Sequence, residues 1–415
     1  MASRPERRRR ADTVRRLPVV PPPRPSPRSA ARRRLALLVV AASAAAVLGA
    51  IVGSCGRDEG GGERAPAARA PAADPGGREG ARPKRAEAVD RLTLSERVGQ
   101  TIAFSYDGAP VLDYVRRILR EGRGGGVILF RDNVVDAEQL RSATGTLQRA
   151  ARGSALVMAD QEGGDVRIVP FAPPESGQAG QSDPATARMA ARATARELGR
   201  LGVNVNLAPV VDVATDGSAL GGRTLPGDPG AVAAIAAASV RGYAGTGVAA
   251  TVKHFPGFGA ATENTDDAPV TIDRDRSTLE RSDLEPFAAG VRAGTPLVMV
   301  SHALYPAIDP ERIASQSRAV VEGLLRRRLR FRGVAITDSV EAEAVISRSD
   351  VATAALRSIR AGIDIVLSTG PGSYRDIYDA VLAESRRSPS FRGRVKDAAA
   401  RVLALKRRMG LRAPS

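Results

Sequence analysis

The chain has 415 residues, of which 43% are hydrophobic and 26% are charged, so most of it can fold around a core and is not a disordered tail. Its formal net charge of +17 is typical of a nucleic-acid-binding protein, but residues 1–34 hold twelve arginines against two acidic residues and carry +10 of it. Residues 57–86 add +2, and the remaining +5 on residues 87–415 predicts no nucleic-acid partner for the folded part. The single cysteine and two histidines exclude an internal disulfide framework and disfavour a metal site.

The first 86 residues contain the features that predict where the protein lies in the cell. Residues 35–56 read LALLVVAASAAAVLGAIVGSCG, an uncharged run long enough to cross a bilayer as a helix. The basic region 1–34 before it would stay in the cytoplasm, so the following residues are predicted to lie outside, tethered to the membrane. The end of this segment resembles a bacterial lipoprotein cleavage box with Cys55 as the acylated residue, and an uncleaved signal anchor is the slightly favoured alternative. Residues 57–86, rich in Gly, Pro, Ala and Arg, predict a flexible linker.

From residue 87 onward, short apolar runs alternate with helical patterns such as 185–201 and 229–245. The runs span residues 98–105, 126–130, 155–159, 203–213, 248–252, 296–300, 333–337 and 363–367. Nearly continuous apolar strands are typical of a parallel sheet that helices cover on both faces. Eight strand–helix units predict an α/β fold, a (β/α)8 TIM-type barrel over residues 87–415, with an open doubly wound sheet as the alternative. No GxGxxG follows the first run and the chain has no P-loop, which disfavours nucleotide-binding versions.

Several of these runs end in polar residues. The third is followed by DQEGG at 160–164, the fifth by Lys253 and His254, the sixth by Ser301 and His302, and the seventh by Asp338. In a barrel the C-terminal strand ends face one mouth, where such enzymes place their chemistry. With no G-x-S-x-G elbow and no cofactor signature, the carboxylates and hydroxyl-gripping donors at this mouth are typical of a glycosidase. The sequence therefore predicts a carbohydrate substrate, no cofactor and no metal.

The motifs also resemble a known family in sequence and order. They are LTLSERVGQ at 92–100, GGVILFRDN at 125–133, DQEGG at 160–164, VNLAPVVDV at 205–213, GGRTLPGDP at 221–229, KHFPGFG at 253–259, MVSHALYP at 299–306 and RGVAITDSV at 332–340. Over roughly residues 90–408 they resemble the catalytic domain of glycoside hydrolase family 3, and most of all its single-domain β-N-acetylglucosaminidase group. The resemblance implies a retaining glycosidase that removes terminal β-N-acetylhexosamine from cell-wall-derived glycans such as peptidoglycan fragments. The alternatives are another β-glycosidase specificity, for example that of a β-glucosidase, and a catalytically weak surface glycan-binding protein.

The resemblance also implies roles for individual residues. Asp338 matches the nucleophile that forms a covalent glycosyl-enzyme, which suits a rigidly held carboxylate at a strand end. Four further residues match positions that bind sugar hydroxyls in the family. They are Asp160, Arg223, Lys253 and His254. His302 lies in sequence close to the same mouth and is a weaker candidate for substrate binding.

The chain departs from the family after KHFPGFG. The single-domain group carries Asp-Ser-His there, with the His as acid/base, whereas this chain has Asn264, Thr265 and Asp266. Asp266 is therefore the expected acid/base, with Asp267 or Glu263 as alternatives, and its pKa would have to be raised by burial or by a nearby carboxylate. The other interpretation is that acid/base catalysis is lost and the protein hydrolyses slowly or only binds glycans.

Two further features bear on the substrate. The family often has an Arg where this chain has Asp165, so the loop near Asp160 is shaped or charged differently and the sugar is left open. The chain has no Trp, and the aromatic residues near the motifs are Phe255, Phe258 and Tyr305, for which core packing is an equally good interpretation. A site poor in aromatic platforms indicates one or two bound sugar units rather than a long groove.

Overall fold

The computed structural model describes residues 88–414. The predicted cytoplasmic region 1–34, membrane segment 35–56 and linker 57–86 lie outside the described residues. Within residues 88–414, no helix is both long and apolar enough to span a bilayer.

Eight parallel strands close into a barrel in the order β1-β12-β11-β8-β7-β6-β3-β2. They are β1 (Ile102–Phe104), β2 (Gly126–Ile128), β3 (Leu156–Ala159), β6 (Val205–Asn206), β7 (Ala249–Phe255), β8 (Leu297–Val300), β11 (Val334–Ser339) and β12 (Ile365–Ser368). The predicted TIM-type barrel is confirmed, and each strand overlaps one of the eight apolar runs. The first run is longer than its strand because it begins inside the helix Leu94–Gly99.

The fourth run, 203–213, was predicted as a long strand and forms a regular ladder only at Val205–Asn206. Pro209 has no N–H to donate, which interrupts regular pairing. The chain nevertheless continues beside β7, since the Val211 amide donates to the Lys253 carbonyl at 2.8 Å. This irregular stretch carries Asp212 to the C-terminal end of the barrel.

Helices surround the barrel. They are α1 (Leu94–Gly99), α2 (Asp113–Arg120), α3 (Ala137–Ala150), α4 (Pro184–Arg200), α5 (Pro229–Tyr243), α6 (Arg276–Thr278), α7 (Leu284–Arg292), α8 (Glu343–Ile346), α9 (Val351–Ala361), α10 (Ser373–Arg387) and α11 (Pro389–Arg408), with π-helical segments at Leu279–Asp283 and Ala319–Arg328. The predicted helices 185–201 and 229–245 are confirmed as α4 and α5. Each begins with Asp-Pro, in which the Asp183 or Asp228 carboxylate accepts backbone N–H bonds and the proline occupies the first turn.

Two short hairpins lie at the C-terminal end of the barrel. β4 (Gln161–Gly163) pairs with β5 (Val166–Arg167) after β3, and β9 (Leu304–Tyr305) pairs with β10 (Asp309–Ile313) after β8. The barrel interior is an apolar cluster that includes Ile128, Met158 and Ile336 together with Val402 and Leu405 of α11. α11 therefore covers the N-terminal end of the barrel and leaves the opposite end free for a site.

Candidate active site

A pocket of about 450 Å³ opens at the C-terminal ends of the barrel strands. Of the seven side chains predicted from the sequence, six line it. They are Asp160, Arg223, Lys253, His254, Asp266 and Asp338. The barrel thus brings together residues that lie up to 178 positions apart in the sequence, because parallel strands end at the same mouth.

Asp338 lies near the end of β11, and its side chain is 27% exposed. Its Oδ1 accepts a hydrogen bond from the Ser339 amide at 2.8 Å, and its Oδ2 lies 4.0 Å from Nε2 of His254. Burial alone would raise the pKa of Asp338, but the imidazoles of His254 and His302 and the Lys253 ammonium hold that pKa below its usual range. The carboxylate is therefore ionised and accessible at neutral pH, as a nucleophile must be.

A buried carboxylate holds the two cations of the site in place. Nζ of Lys253 lies 2.7 Å from Oε1 of Glu162 and 2.5 Å from Oδ1 of Asp160. Arg223 binds Glu162 through two bonds of 2.9 Å each. Glu162 is fully buried; burial would raise its pKa, but Lys253 and Arg223 lower it to about 2. Burial alone would lower the pKa of the Lys253 ammonium. The carboxylates of Asp160 and Glu162 together have the larger effect, so the pKa is raised.

Glu162 was not among the predicted site residues, although it belongs to the DQEGG motif. The available signal was its spacing, since residues i and i+2 of an extended segment point to the same side. Asp160 and Glu162 have this spacing, and both contact Lys253.

Asp212 was also missed. Its fully buried carboxylate accepts a bond from Nδ1 of His254 at 2.8 Å, and it accepts backbone bonds from His254 at 3.0 Å and Phe258 at 2.6 Å. The carboxylate therefore fixes the ring of His254 with Nε2 directed toward Asp338. The signal that could have found it is a charged residue inside the apolar run 203–213, much as Asp338 directly follows the run 333–337.

Asp266 lies on the loop after β7 and lines the pocket. The loop is anchored by α8, because the Glu343 amide donates to the Asp266 carbonyl at 3.3 Å and the Ala344 amide to the Thr265 carbonyl at 3.1 Å. Burial, and then the negative charge of Asp338, raise the pKa of the Asp266 carboxyl. The neighbouring carboxylate of Asp267 also raises this pKa, but less than Asp338 does.

The remaining candidates lie outside the pocket lining. Glu263 and Asp267 do not line it. His302 is buried with Nδ1 2.8 Å from Oγ of Ser315, and burial lowers the pKa of its imidazole. Asp165 is exposed.

Aromatic side chains are few in the pocket. Phe130 and Phe258 line it, whereas Phe255 and Tyr305 are buried in the core. The core-packing interpretation of Phe255 and Tyr305 is therefore confirmed. Among residues 88–414 no group of three or more His, Cys, Asp and Glu side chains is arranged to hold a metal ion.

Comparisons with known proteins agree with this geometry. The family described as glycosyl hydrolase family 3 N terminal domain matches residues 93–405. An uncharacterised secreted glycosyl hydrolase of Arthroderma benhamiae is 31% identical over 335 residues, which cover 77% of this chain and 94% of that protein. A β-hexosaminidase of Xanthomonas axonopodis pv. citri is 35% identical over 278 residues, which cover 65% of this chain and 83% of that protein.

A solved structure is similar over the same region. It is that of a glycoside hydrolase family 3 β-N-acetylglucosaminidase from Paenibacillus sp., with a TM-score of 0.73 and 34% identity. The match covers 77% of this chain and 63% of that chain, so this protein spans less than two thirds of the Paenibacillus chain.

Proposed function

The chain belongs to glycosyl hydrolase family 3 and is a glycoside hydrolase of the β-N-acetylhexosaminidase type, and from this premise we propose that it releases terminal β-linked N-acetylhexosamine through a covalent intermediate on Asp338. One observation supports this mechanism above all. A single pocket holds two carboxyl groups whose pKa values move in opposite directions, downward for Asp338 and upward for Asp266. Such a pair is what a retaining glycosidase needs for a nucleophile and an acid/base.

The proposed reaction has two displacements. An oxygen of Asp338 attacks the anomeric carbon while the Asp266 carboxyl gives its proton to the glycosidic oxygen, so that the aglycone leaves as an alcohol. The Asp266 carboxylate then takes a proton from water, the water oxygen bonds to the anomeric carbon, and Asp338 leaves as a carboxylate. Two inversions at one carbon give net retention.

The charged residues around Asp338 are proposed to grip the sugar. Asp160 accepts hydrogen bonds from sugar hydroxyls, and Lys253, Arg223 and the Nε2 of His254 contact hydroxyls near the reacting carbon. The Glu162 carboxylate supports this assignment, because it holds Lys253 and Arg223 before any substrate arrives. Preset donors lose little entropy on binding and stabilise charge that develops in the transition state.

The proposal is tested with aryl β-N-acetylglucosaminide and aryl β-glucoside as substrates. We expect turnover of the first to exceed that of the second, and Asp338→Asn to lower kcat at least a thousand-fold without changing the melting temperature by more than a few degrees. Asp376→Asn, an exposed acid on α10, is the matched control. A mechanism-based inhibitor should add one sugar mass to the peptide that contains residue 338. An active Asp338→Asn variant would reject the mechanism, and saturable glycan binding without turnover of any glycoside would favour a binding protein.

We also propose that the enzyme acts outside the cytoplasm on cell-wall-derived glycans. The support is the order of segments, a basic region at 1–34 followed by the apolar segment 35–56. Protease added to intact cells that make the full chain should degrade the catalytic domain, and N-acetylhexosamine should be released from muramidase-digested peptidoglycan. Loss of palmitate labelling in Cys55→Ser would indicate a lipoprotein, and absence of labelling in the parent would indicate an uncleaved anchor.

A further inference from the structure

A second cavity, of about 650 Å³, lies beside the active pocket. The end of β12 separates the two, since Leu367 and Thr369 line the active pocket while Ser368 and Gly370 line the second cavity. Its other walls come from the segment after β1 and from α2 and α10. A volume in the range of roughly 300–1,000 Å³ is typical of small-ligand sites.

This cavity concentrates the aromatic side chains of the chain. The protein has eight Phe, six Tyr and no Trp, and five of these rings line the cavity. They are Phe104, Tyr106, Tyr114, Tyr374 and Tyr378. The rings of Tyr374 and Tyr378 stack with centroids 5.8 Å apart, and Phe104 lies 4.8 Å from Tyr374. The active pocket has only two Phe or Tyr rings, so most of the aromatic surface that sugar sites often use as a platform lies outside it.

The polar lining is electrically balanced. Three carboxylates and three guanidinium groups line the same cavity, namely Asp107, Glu121, Asp379, Arg117, Arg123 and Arg375. A wall without net charge favours a neutral ligand over a phosphate or a polycation. Planar carboxylates and guanidinium groups form paired hydrogen bonds with adjacent hydroxyls, as they do with other bidentate partners. Tyr106 is buried, with a relative exposure of 3%. Its hydroxyl has no hydrogen-bond partner among the described residues.

We propose that this cavity is a second saccharide-binding site, which binds a neutral β-linked gluco-configured oligosaccharide. In such sugars the ring substituents are equatorial, so axial hydrogens form a flat apolar face that packs on an aromatic ring while the hydroxyls point to the rim. The exposed ring of Tyr114 and the stacked ring of Tyr374 supply the platform, and the balanced charges supply the hydroxyl partners. The site goes beyond the proposed reaction, because none of its lining side chains is needed for chemistry at Asp338.

Tyrosine fluorescence tests this site directly. Four of the six tyrosines line the cavity, whereas Tyr243 and Tyr305 are buried elsewhere, and no tryptophan masks the emission. The full chain carrying Asp338→Asn is titrated with N,N′,N″-triacetylchitotriose and with cellotriose. We expect a saturable change in tyrosine emission with at least one of them, retained in an Asp160→Asn variant of the active pocket.

Variants then assign the binding to the cavity. Tyr114→Ala should raise the half-saturating concentration at least tenfold, and Tyr374→Ala should do the same if circular dichroism shows it folded. Phe171→Ala, which removes a ring of equal 41% exposure outside both cavities, should leave it unchanged. In the parent, Tyr114→Ala should not alter turnover of a small aryl glycoside.

Two results would overturn this proposal. They are no saturable emission change up to the solubility limit of either trisaccharide, and an emission change that Asp160→Asn abolishes while Tyr114→Ala leaves it intact. Because emission does not depend on turnover, a protein that binds at the cavity but cleaves nothing would keep this proposal and reject the proposed function. Turnover without any emission change would support the proposed function and reject the saccharide site in this cavity.

Discussion

Nδ1 of His254 donates to the Asp212 carboxylate at 2.8 Å, and the same carboxylate accepts the His254 backbone N–H at 3.0 Å. One buried group therefore fixes both the main chain and the ring of this residue. This also affects the proposed nucleophile, since the opposite ring nitrogen of His254 lies 4.0 Å from Oδ2 of Asp338. Asp212 does not line the pocket, so its role is to position His254.

Replacing Asp212 with Asn should lower kcat/KM roughly ten- to a hundred-fold. The amide keeps the shape but loses the charge and leaves a buried donor facing backbone donors, which costs about 1–3 kcal/mol. The measurement is kcat/KM on an aryl glycoside across pH, together with the melting temperature. Asp216→Asn, an exposed carboxylate in the same loop, is the control. A loss of stability with unchanged kcat/KM in the folded fraction would assign Asp212 a purely structural role.

The pH profile should depend on Asp266. This carboxyl must be protonated to donate, so kcat/KM should fall as pH rises through its raised pKa, and it should fall at low pH as Asp338 protonates. In Asp266→Asn the alkaline limb should disappear. Turnover of a substrate with a poor leaving group should fall roughly 10²–10⁴-fold, while a dinitrophenyl glycoside, which needs no protonation, should lose far less. An unchanged alkaline limb would exclude Asp266 as the acid/base, and Asp267→Asn and Glu263→Gln serve as neighbouring controls.

The sequence predicted the barrel because its pattern follows from local rules. Strands buried on both faces must be apolar, and the eight runs therefore mark the eight barrel strands. The sequence pattern was less informative at 203–213, where the run is largely apolar but Pro209 interrupts the ladder of hydrogen bonds. A composition-based prediction does not detect such a break unless the missing proline N–H is considered explicitly.

The site was predictable where a residue sits on a motif and less so where it acts through a partner. Asp338 and Lys253 follow from motifs and Asp266 from its match to the family's Asp-Ser-His position, and all three line the pocket. Glu162 and Asp212 escaped because their importance lies in pairing across the fold, for example between Glu162 and Arg223, 61 residues apart. The aromatic cavity was not predicted from the sequence for the same reason, since its rings come from distant segments of the chain.

The cavity shows how closure of the barrel creates sites that no local pattern reveals. Tyr106 follows β1 and Tyr374 lies on α10, and both line the cavity because β1 pairs with β12 to close the sheet. Phe255, Phe258 and Tyr305 lie near the motifs in sequence, whereas the rings of the cavity are brought together only by the fold.

The stability of the protein should depend on Glu162 at acid pH. Its pKa is about 2 in the folded state against an ordinary 4.5, so its contribution is present above about pH 4.5 and is lost as pH falls toward 2. The full contribution is at most about 3.5 kcal/mol, since one pKa unit corresponds to about 1.4 kcal/mol. Urea unfolding between pH 5 and pH 2.5 should show this loss in the parent.

In Glu162→Gln the same acid-dependent loss should be absent, and the protein should be less stable by about 3 kcal/mol at pH 7 because the buried Lys253 and the partly buried Arg223 lose their shared carboxylate. Glu197→Gln, a partly exposed acid on α4, is the control. An acid transition that Glu162→Gln leaves unchanged would place the stabilising carboxylate elsewhere.

The last prediction concerns Lys406 at the closed end of the barrel. Its side chain is buried, Nζ donates to Oε1 of Gln100 at 2.6 Å, and no carboxylate among residues 88–414 lies within ion-pairing distance. Burial lowers its pKa from 10.5 to about 7. The unfolded chain therefore binds more protons than the folded one between pH 7 and 10.5, so stability should rise with pH across this window and the penalty should be complete below pH 7.

Lys406→Met fills the same space without a charge, although it leaves the Gln100 oxygen without its donor. We expect a net gain of about 1–2 kcal/mol at pH 7, smaller than the relieved charge penalty because of that lost hydrogen bond. The rise in stability between pH 7 and pH 9 should also flatten, as measured by urea unfolding at both values. Lys396→Met removes a partly exposed lysine, paired with Asp90, from the same helix and should keep the slope of the parent. A Lys406→Met variant with the parent slope would show that this ammonium is solvated in the folded protein, since a lysine contributes to the slope in this window only when folding lowers its pKa.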